Sequence, residues 1–138
     1  MLLKSISRVE RDEYPDLQKQ LLVTTGNGQK GKLALPTLNG YELVDAHDVV
    51  WCEADINYTT FHICSRGKIM ISKSLKEVSA ILEPYGFVRL HKHHLVNLRY
   101  AVRYIKGMYG QLVLTDGTVL SVSHRNKNAL LERLKIIC

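Results

Sequence analysis

Residues 87–97, Phe-Val-Arg-Leu-His-Lys-His-His-Leu-Val-Asn, set two cations and three histidines among apolar side chains. From Val88 to His91 apolar and cationic residues alternate. That is the period of a strand with one buried and one wet face. Arg89 and His91 fall on the wet face, with Lys92 at its end. Such a row suits an anion, and the commonest large anion in a cell is nucleic acid. A second cluster is Ser121-Val122-Ser123-His124-Arg125-Asn126-Lys127. It puts Arg125 and Lys127 in the first turn of a helix behind a serine cap, where the helix dipole disfavours cations. Cations held there at electrostatic cost point to a use for them. The bland alternative is that both lie in solvent.

Three other chemistries compete for these residues. His91 and His93 are two apart, so on a strand they share a side and can share a zinc ion. Such a set needs further ligands, from Cys52, Cys64, Glu53 or Asp55, and nothing resembles HExxH. A zinc enzyme or zinc sensor is therefore the alternative reading. His94 precedes the apolar Leu95-Val96 pair and reads as a half-exposed histidine satisfied by backbone. Nucleophilic catalysis has little support. There is no GxSxG, no cysteine beside a histidine and no glycine-rich phosphate cradle. No enzyme, metal or cofactor is expected. A basic module that docks on an acidic protein is the third reading.

These clusters must be positioned by short strands. Candidate strands are Leu33–Leu35, Tyr41–Val44 after the turn dipeptide Asn39-Gly40, Val49–Glu53, Tyr58–Ile63 and Lys68–Ser72. Ser74-Leu75-Lys76-Glu77 is a capping box, and Leu75, Val78, Ile81 and Leu82 follow at helical spacing. Pro84 and Gly86 close that helix, expected over about 74–83. Ala101–Ile105, Gln111–Leu114 and Val119–Val122 are further strands. The last two flank Asp116-Gly117, a strong hairpin signal. A final helix is expected over about 124–136, with Leu130, Leu131, Leu134 and Ile137 on one side. The fold class is mostly β, antiparallel, with one central and one C-terminal helix.

The chain has 138 residues and a formal charge of +6, and hydrophobic residues make up 46% of it. The charge is uneven. Residues 1–88 hold 10 Lys/Arg against 11 Asp/Glu, whereas residues 89–138 hold 9 against 2. Concentrated positive charge is the footprint of a phosphate-binding face, though a solvated basic surface looks the same by charge alone. Cys52, Cys64 and Cys138 form no CxxC pair and are odd in number. Reduced thiols in a cytoplasm are the simple account. No apolar run reaches the roughly 18 residues of a membrane span. The early charges Lys4 to Glu13 leave no signal core. Residues 1–31 read as a leader, with Leu17, Leu21 and Leu22 as a short amphipathic helix and a turn at Gly26–Gly31. Residues 32–138 read as one domain.

Together these pieces resemble the LytTR family of bacterial DNA-binding domains, usually found behind a receiver domain in response regulators. The resemblance runs from about Lys32 to Leu134. Its markers are residues 33–45 (Leu-Ala-Leu-Pro-Thr-Leu-Asn-Gly-Tyr-Glu-Leu-Val-Asp), 52–59 (Cys-Glu-Ala-Asp-Ile-Asn-Tyr-Thr), 72–77 (Ser-Lys-Ser-Leu-Lys-Glu), 87–97 and 116–125. It implies elongated antiparallel β-sheets whose basic loops enter successive major grooves of double-stranded DNA at direct-repeat promoter sites, regulating transcription. Lys92 takes the place usually held by Arg after the family histidine, and Arg125 the late basic position. Both are then base contacts. Lys in place of Arg loses the bidentate fork toward guanine. Asn57, in the loop with Tyr58, matches a third DNA-facing loop and is the third base candidate, while Tyr58 fits the core as well. His93 stands where the family commonly has serine. Arg89, His91, His93 and Lys127 are the phosphate candidates. The resemblance further implies a second copy on the DNA. Residues 1–31 resemble the tail and linker that follow a receiver, so the chain is either a free-standing regulator or a piece of a longer protein.

Overall fold

A computed structural model describes residues 31–137. The expected leader helix at Leu17–Leu22 and most of the glycine-rich turn lie outside the described residues. The strands are β1 (Lys32–Thr37), β2 (Gly40–Asp45), β3 (Val49–Asp55), β4 (Tyr58–Ile63) and β5 (Gly67–Ile71). Helix α1 (Leu75–Leu82) precedes β6 (Phe87–His91), β7 (His94–Asn97), β8 (Ala101–Ile105), β9 (Gln111–Leu114), β10 (Val119–Ser121) and helix α2 (His124–Arg133). Helix α1 starts where its capping box places it. The Glu77 amide donates to Ser74 Oγ at 3.2 Å, and the Ser74 amide donates to Glu77 Oε1 at 3.2 Å. It stops at a 3-10 turn over Glu83–Tyr85, closed by Gly86 at φ 90°, a left-handed value that suits glycine. The β9–β10 hairpin turns at Asp116-Gly117, where the Thr118 amide donates to Asp116 Oδ1 at 2.9 Å.

A five-stranded sheet of order β5-β4-β3-β7-β6 is the centre of the molecule. It is antiparallel throughout, as is the three-stranded sheet β10-β9-β8. Residues paired across a ladder share a face. One face carries Cys52, Phe61, Phe87 and Leu95 and is covered by Leu75, Val78 and Leu82 of α1, with Leu35 and Val44 of the β1–β2 ribbon. The other carries Val88, Leu90 and Val96 and packs on Leu112, Leu114 and Leu120 of the smaller sheet and Leu130 of α2. The sheet thus separates two cores. Its central strands are buried on both sides, which explains near-continuous apolar runs such as Val49-Val50-Trp51-Cys52.

Four expectations change. The first hairpin turns at Leu38-Asn39, and Gly40 already belongs to β2. Strand β3 runs on to Asp55, two residues past its expected end. Helix α2 ends at Arg133, and Ile137 is 94% exposed rather than in the apolar stripe. The β-branched pair Ile136-Ile137 has low helix propensity and packs on no core. Finally, Arg89 and His91 do not share a face. The ladder pairs Arg89 with Leu95, then shifts so that His91 pairs with His94. A one-residue bulge flips side chains to the other face.

Candidate nucleic-acid interface

The chain direction of each strand sorts the turns onto two ends of the five-stranded sheet. The Ile56-Asn57 turn, the Lys92-His93 turn and the Ser72-Lys73 segment that follows β5 lie at one end. The Cys64–Arg66 turn and Asn97 lie at the other. Two backbone hydrogen bonds and one from a side chain tie the first end together. The Ala54 amide donates to the His93 carbonyl at 2.9 Å, joining the β3–β4 hairpin to the β6–β7 hairpin. The Ser123 amide donates to the Leu90 carbonyl at 2.8 Å, joining the start of α2 to the end of β6. Thr59 Oγ1 donates to the Lys73 carbonyl at 2.6 Å. The structure therefore gathers Asn57, Lys92 and Arg125, 68 positions apart in sequence at the extremes, around one end of one sheet.

The Lys92-His93 turn is held from within. Arg89 Nε donates to the His91 carbonyl at 3.0 Å and Arg89 Nη2 to the Lys92 carbonyl at 2.9 Å. Partial burial lowers the Arg89 pKa by desolvation, and the two carbonyls compensate its charge. Part of the Arg89 fork is thus committed to shaping the turn that presents Lys92. The His93 amide donates to His91 Nδ1 at 3.3 Å. That bond assigns the proton of a neutral His91 to Nε2, which is left as a donor. Lys92 and His93 are exposed at the tip.

An aromatic and imidazole cluster stands behind the turn. Trp51 stacks on His62 with centroids 4.1 Å apart, and His94 meets Trp51 edge-on at 5.4 Å. Glu53 Oε1 lies 2.8 Å from His62 Nε2. His91 sits 5.4 Å from His93 and 5.6 Å from His94. Burial lowers the His94 pKa, with His91 pushing the same way and Glu53 opposing. His94 Nδ1 is buried with no hydrogen-bond partner among the described residues, so backbone there does not satisfy it as expected. Helix α2 opens on its serine cap, Ser123 Oγ accepting from the Asn126 amide at 3.2 Å. No acidic residue shares its first turn. Arg125 is exposed and Lys127 half-buried, and neither they nor Lys92 form a salt bridge among the described residues.

Zinc ligation finds no support in this arrangement. Among the described residues no group of three or more His, Cys, Asp or Glu is placed to hold a metal ion. Cys52 points into the α1-side core, where desolvation raises its thiol pKa far above the usual range, and Cys64 lies at the opposite end of the sheet. No helix among the described residues is long and apolar enough to cross a membrane.

Comparison with known proteins agrees with the geometry. The LytTr DNA-binding domain family matches residues 39–135. The chain belongs to the LytTR family. A relative, the positive alginate biosynthesis regulatory protein of Pseudomonas aeruginosa, is 29% identical over 130 residues, covering 90% of this chain and 50% of that protein. The chain thus spans about half the length of that relative. A solved LytTr DNA-binding domain from Bacillus cereus superposes with a TM-score of 0.67 at 21% identity, over 78% of this chain and 99% of the other. Its likeness extends the match to the fold, antiparallel sheets with two helices.

Two features of this LytTR domain escaped sequence reading. Lys73 lies at the same sheet end as Lys92, and its only sequence signal was its place just before the capping box. Ile56 adopts φ 47° while 93% exposed. A β-branched residue in the left-handed region is a conformational outlier, at a cost of roughly 1–2 kcal/mol. Tyr58, which fitted groove or core, is 47% exposed.

Proposed function

We propose that this domain binds double-stranded DNA sequence-specifically to regulate transcription. The gathering of the Asn57 turn, the Lys92 turn and the Arg125 helix start at one sheet end supports the reading best. Lys92, Arg125 and Asn57 contact base edges in successive major grooves. Lys92 offers a point charge to guanine, Arg125 a bidentate fork, and Asn57 a paired donor and acceptor suited to adenine. His93, Lys127 and the Nε2–H of His91 contact phosphates, as does the uncommitted part of the Arg89 fork, with Lys73 added from the neighbouring strand end. The targets are direct-repeat promoter sites that seat a second copy beside the first. If the chain is a piece of a longer protein, a receiver domain is its partner there, and the setting is the cytoplasm.

The test is affinity for a duplex selected from a random pool. Lys92→Ala and Arg125→Ala each weaken binding by about 1–3 kcal/mol. Unchanged binding in both would remove these residues from the interface.

A further inference from the structure

We propose that Ile56 is a specificity-determining residue that reads the C5-methyl group of a thymine in the major groove. The inference rests on the DNA-binding reading above. Ile56 and Asn57 are the two residues of the turn closed by the Asp55–Tyr58 pair. An isoleucine suits neither requirement of that position. Its φ of 47° belongs to the region glycine and asparagine adopt cheaply, and its side chain is 93% exposed. Burial in this molecule does not reward the side chain, and the backbone is strained by it. A residue that local folding disfavours twice at one tip points to contact with something outside the chain.

The occupant follows from the neighbours. The Ala54–His93 hydrogen bond sets this turn beside the exposed cation Lys92, so what it meets is polyanionic. Asn57, next in sequence, matches the donor–acceptor edge of adenine. The thymine paired with that adenine displays its methyl group in the same groove, and an apolar side chain is its natural partner. Ile56 and Asn57 together suit the two halves of one A·T pair. Ser65, the other non-glycine residue at positive φ among the described residues, is small, polar and at the opposite sheet end, and has no such setting.

The experiment replaces each thymine of the selected duplex in turn by 2′-deoxyuridine, which keeps base pairing and removes only the methyl group. Wild-type protein is expected to lose about fourfold in affinity at one thymine, the equivalent of the roughly 0.8 kcal/mol of one buried methyl group. Ile56→Gly is expected to bind about tenfold more weakly and to be indifferent to that methyl group. Its thermal midpoint should equal or exceed that of wild type, because glycine accepts the turn without strain. Wild-type binding that ignores every methyl group overturns the proposal, as does Ile56→Gly that keeps the methyl response. Both outcomes leave the preference for selected over random duplex intact. Loss of that preference in wild type would instead overturn the DNA-binding reading and this inference with it. The wild-type scan stands even if the variant does not fold.

Discussion

The two ends of the five-stranded sheet are built from similar residues and behave as opposites. At the Asn97 end, polar groups are paired. Asn97 is 2% exposed, donates from Nδ2 to the Val49 carbonyl at 3.0 Å and accepts from the Arg99 amide at 3.1 Å. Tyr100 Oη donates to the His47 carbonyl at 2.7 Å, and Arg66 donates to the Leu43 carbonyl at 2.8 Å while pairing with Glu42. At the Lys92 end, the cations Lys92 and Arg125 stand exposed with no acidic partner among the described residues, Ile56 is strained, and His94 Nδ1 is buried with no hydrogen-bond partner among them. One end pairs its polar groups within the fold, and the other leaves charge exposed and a turn strained, as the proposed DNA contact requires. The 87–97 motif runs from one end of the sheet to the other and back, so its Lys-His turn stands exposed at one end and its Leu-Val-Asn segment is buried toward the other.

Substitutions should separate the ends. The largest effect is expected for Asn97→Ala. It leaves the buried Val49 carbonyl and the partly buried Arg99 amide without their partner and costs about 2–4 kcal/mol of stability by denaturant titration. The folded fraction should still bind DNA, and a fall in stability below about 0.5 kcal/mol would break the assignment of Asn97 as a lock. Next come Lys92→Ala and Arg125→Ala, which should leave stability within about 0.5 kcal/mol of wild type while weakening binding. A large loss of stability in either would make that cation part of the fold. Lys92→Arg sharpens the same point. A guanidinium fork at that tip should raise the preference for guanine by up to about tenfold, measured by competition between duplexes. Arg66→Ala, at the paired end, should cost about 0.5–1 kcal/mol of stability, as a surface ion pair does, and leave DNA affinity alone.

The smallest effect is a slope. Burial lowers the His94 pKa in the folded state relative to the unfolded chain. The unfolded state therefore binds more protons between the two values, and stability rises with pH there. This contribution is full above the ordinary imidazole value of about 6.5 and declines as pH falls through it toward the lowered folded value. His94→Leu should flatten that part of the stability profile, as followed by thermal midpoints across pH 5–8. An unchanged profile would place the titrating group elsewhere. His91, His93, His62 and Glu53 surround it and make the slope a property of the cluster.

Much of this was legible in the chain. The capping box marked α1, Asp116-Gly117 marked its hairpin, and the strands Tyr58–Ile63, Ala101–Ile105 and Gln111–Leu114 stand where the pattern put them. The cations Lys92 and Arg125 were visible as clusters because positive charge was concentrated after residue 88. Their adjacency was not visible, since it depends on the Ser123–Leu90 hydrogen bond between segments more than 30 residues apart. The facing of His91 was misread because a bulge carries no composition signal of its own. Arg89 looked like a surface cation. Only its distances to two turn carbonyls reveal that it shapes the site from beneath. Ile56 hid because its meaning lies in a backbone angle.

The most direct measurement is equilibrium binding of the whole chain to the selected duplex and to random duplex, by fluorescence anisotropy across a salt series. The account predicts a preference for the selected duplex of about a thousandfold or more, with log affinity falling linearly with log salt. Equal affinity for the two duplexes at every salt concentration would contradict it, and would reduce the Lys92 end to a basic surface without a code.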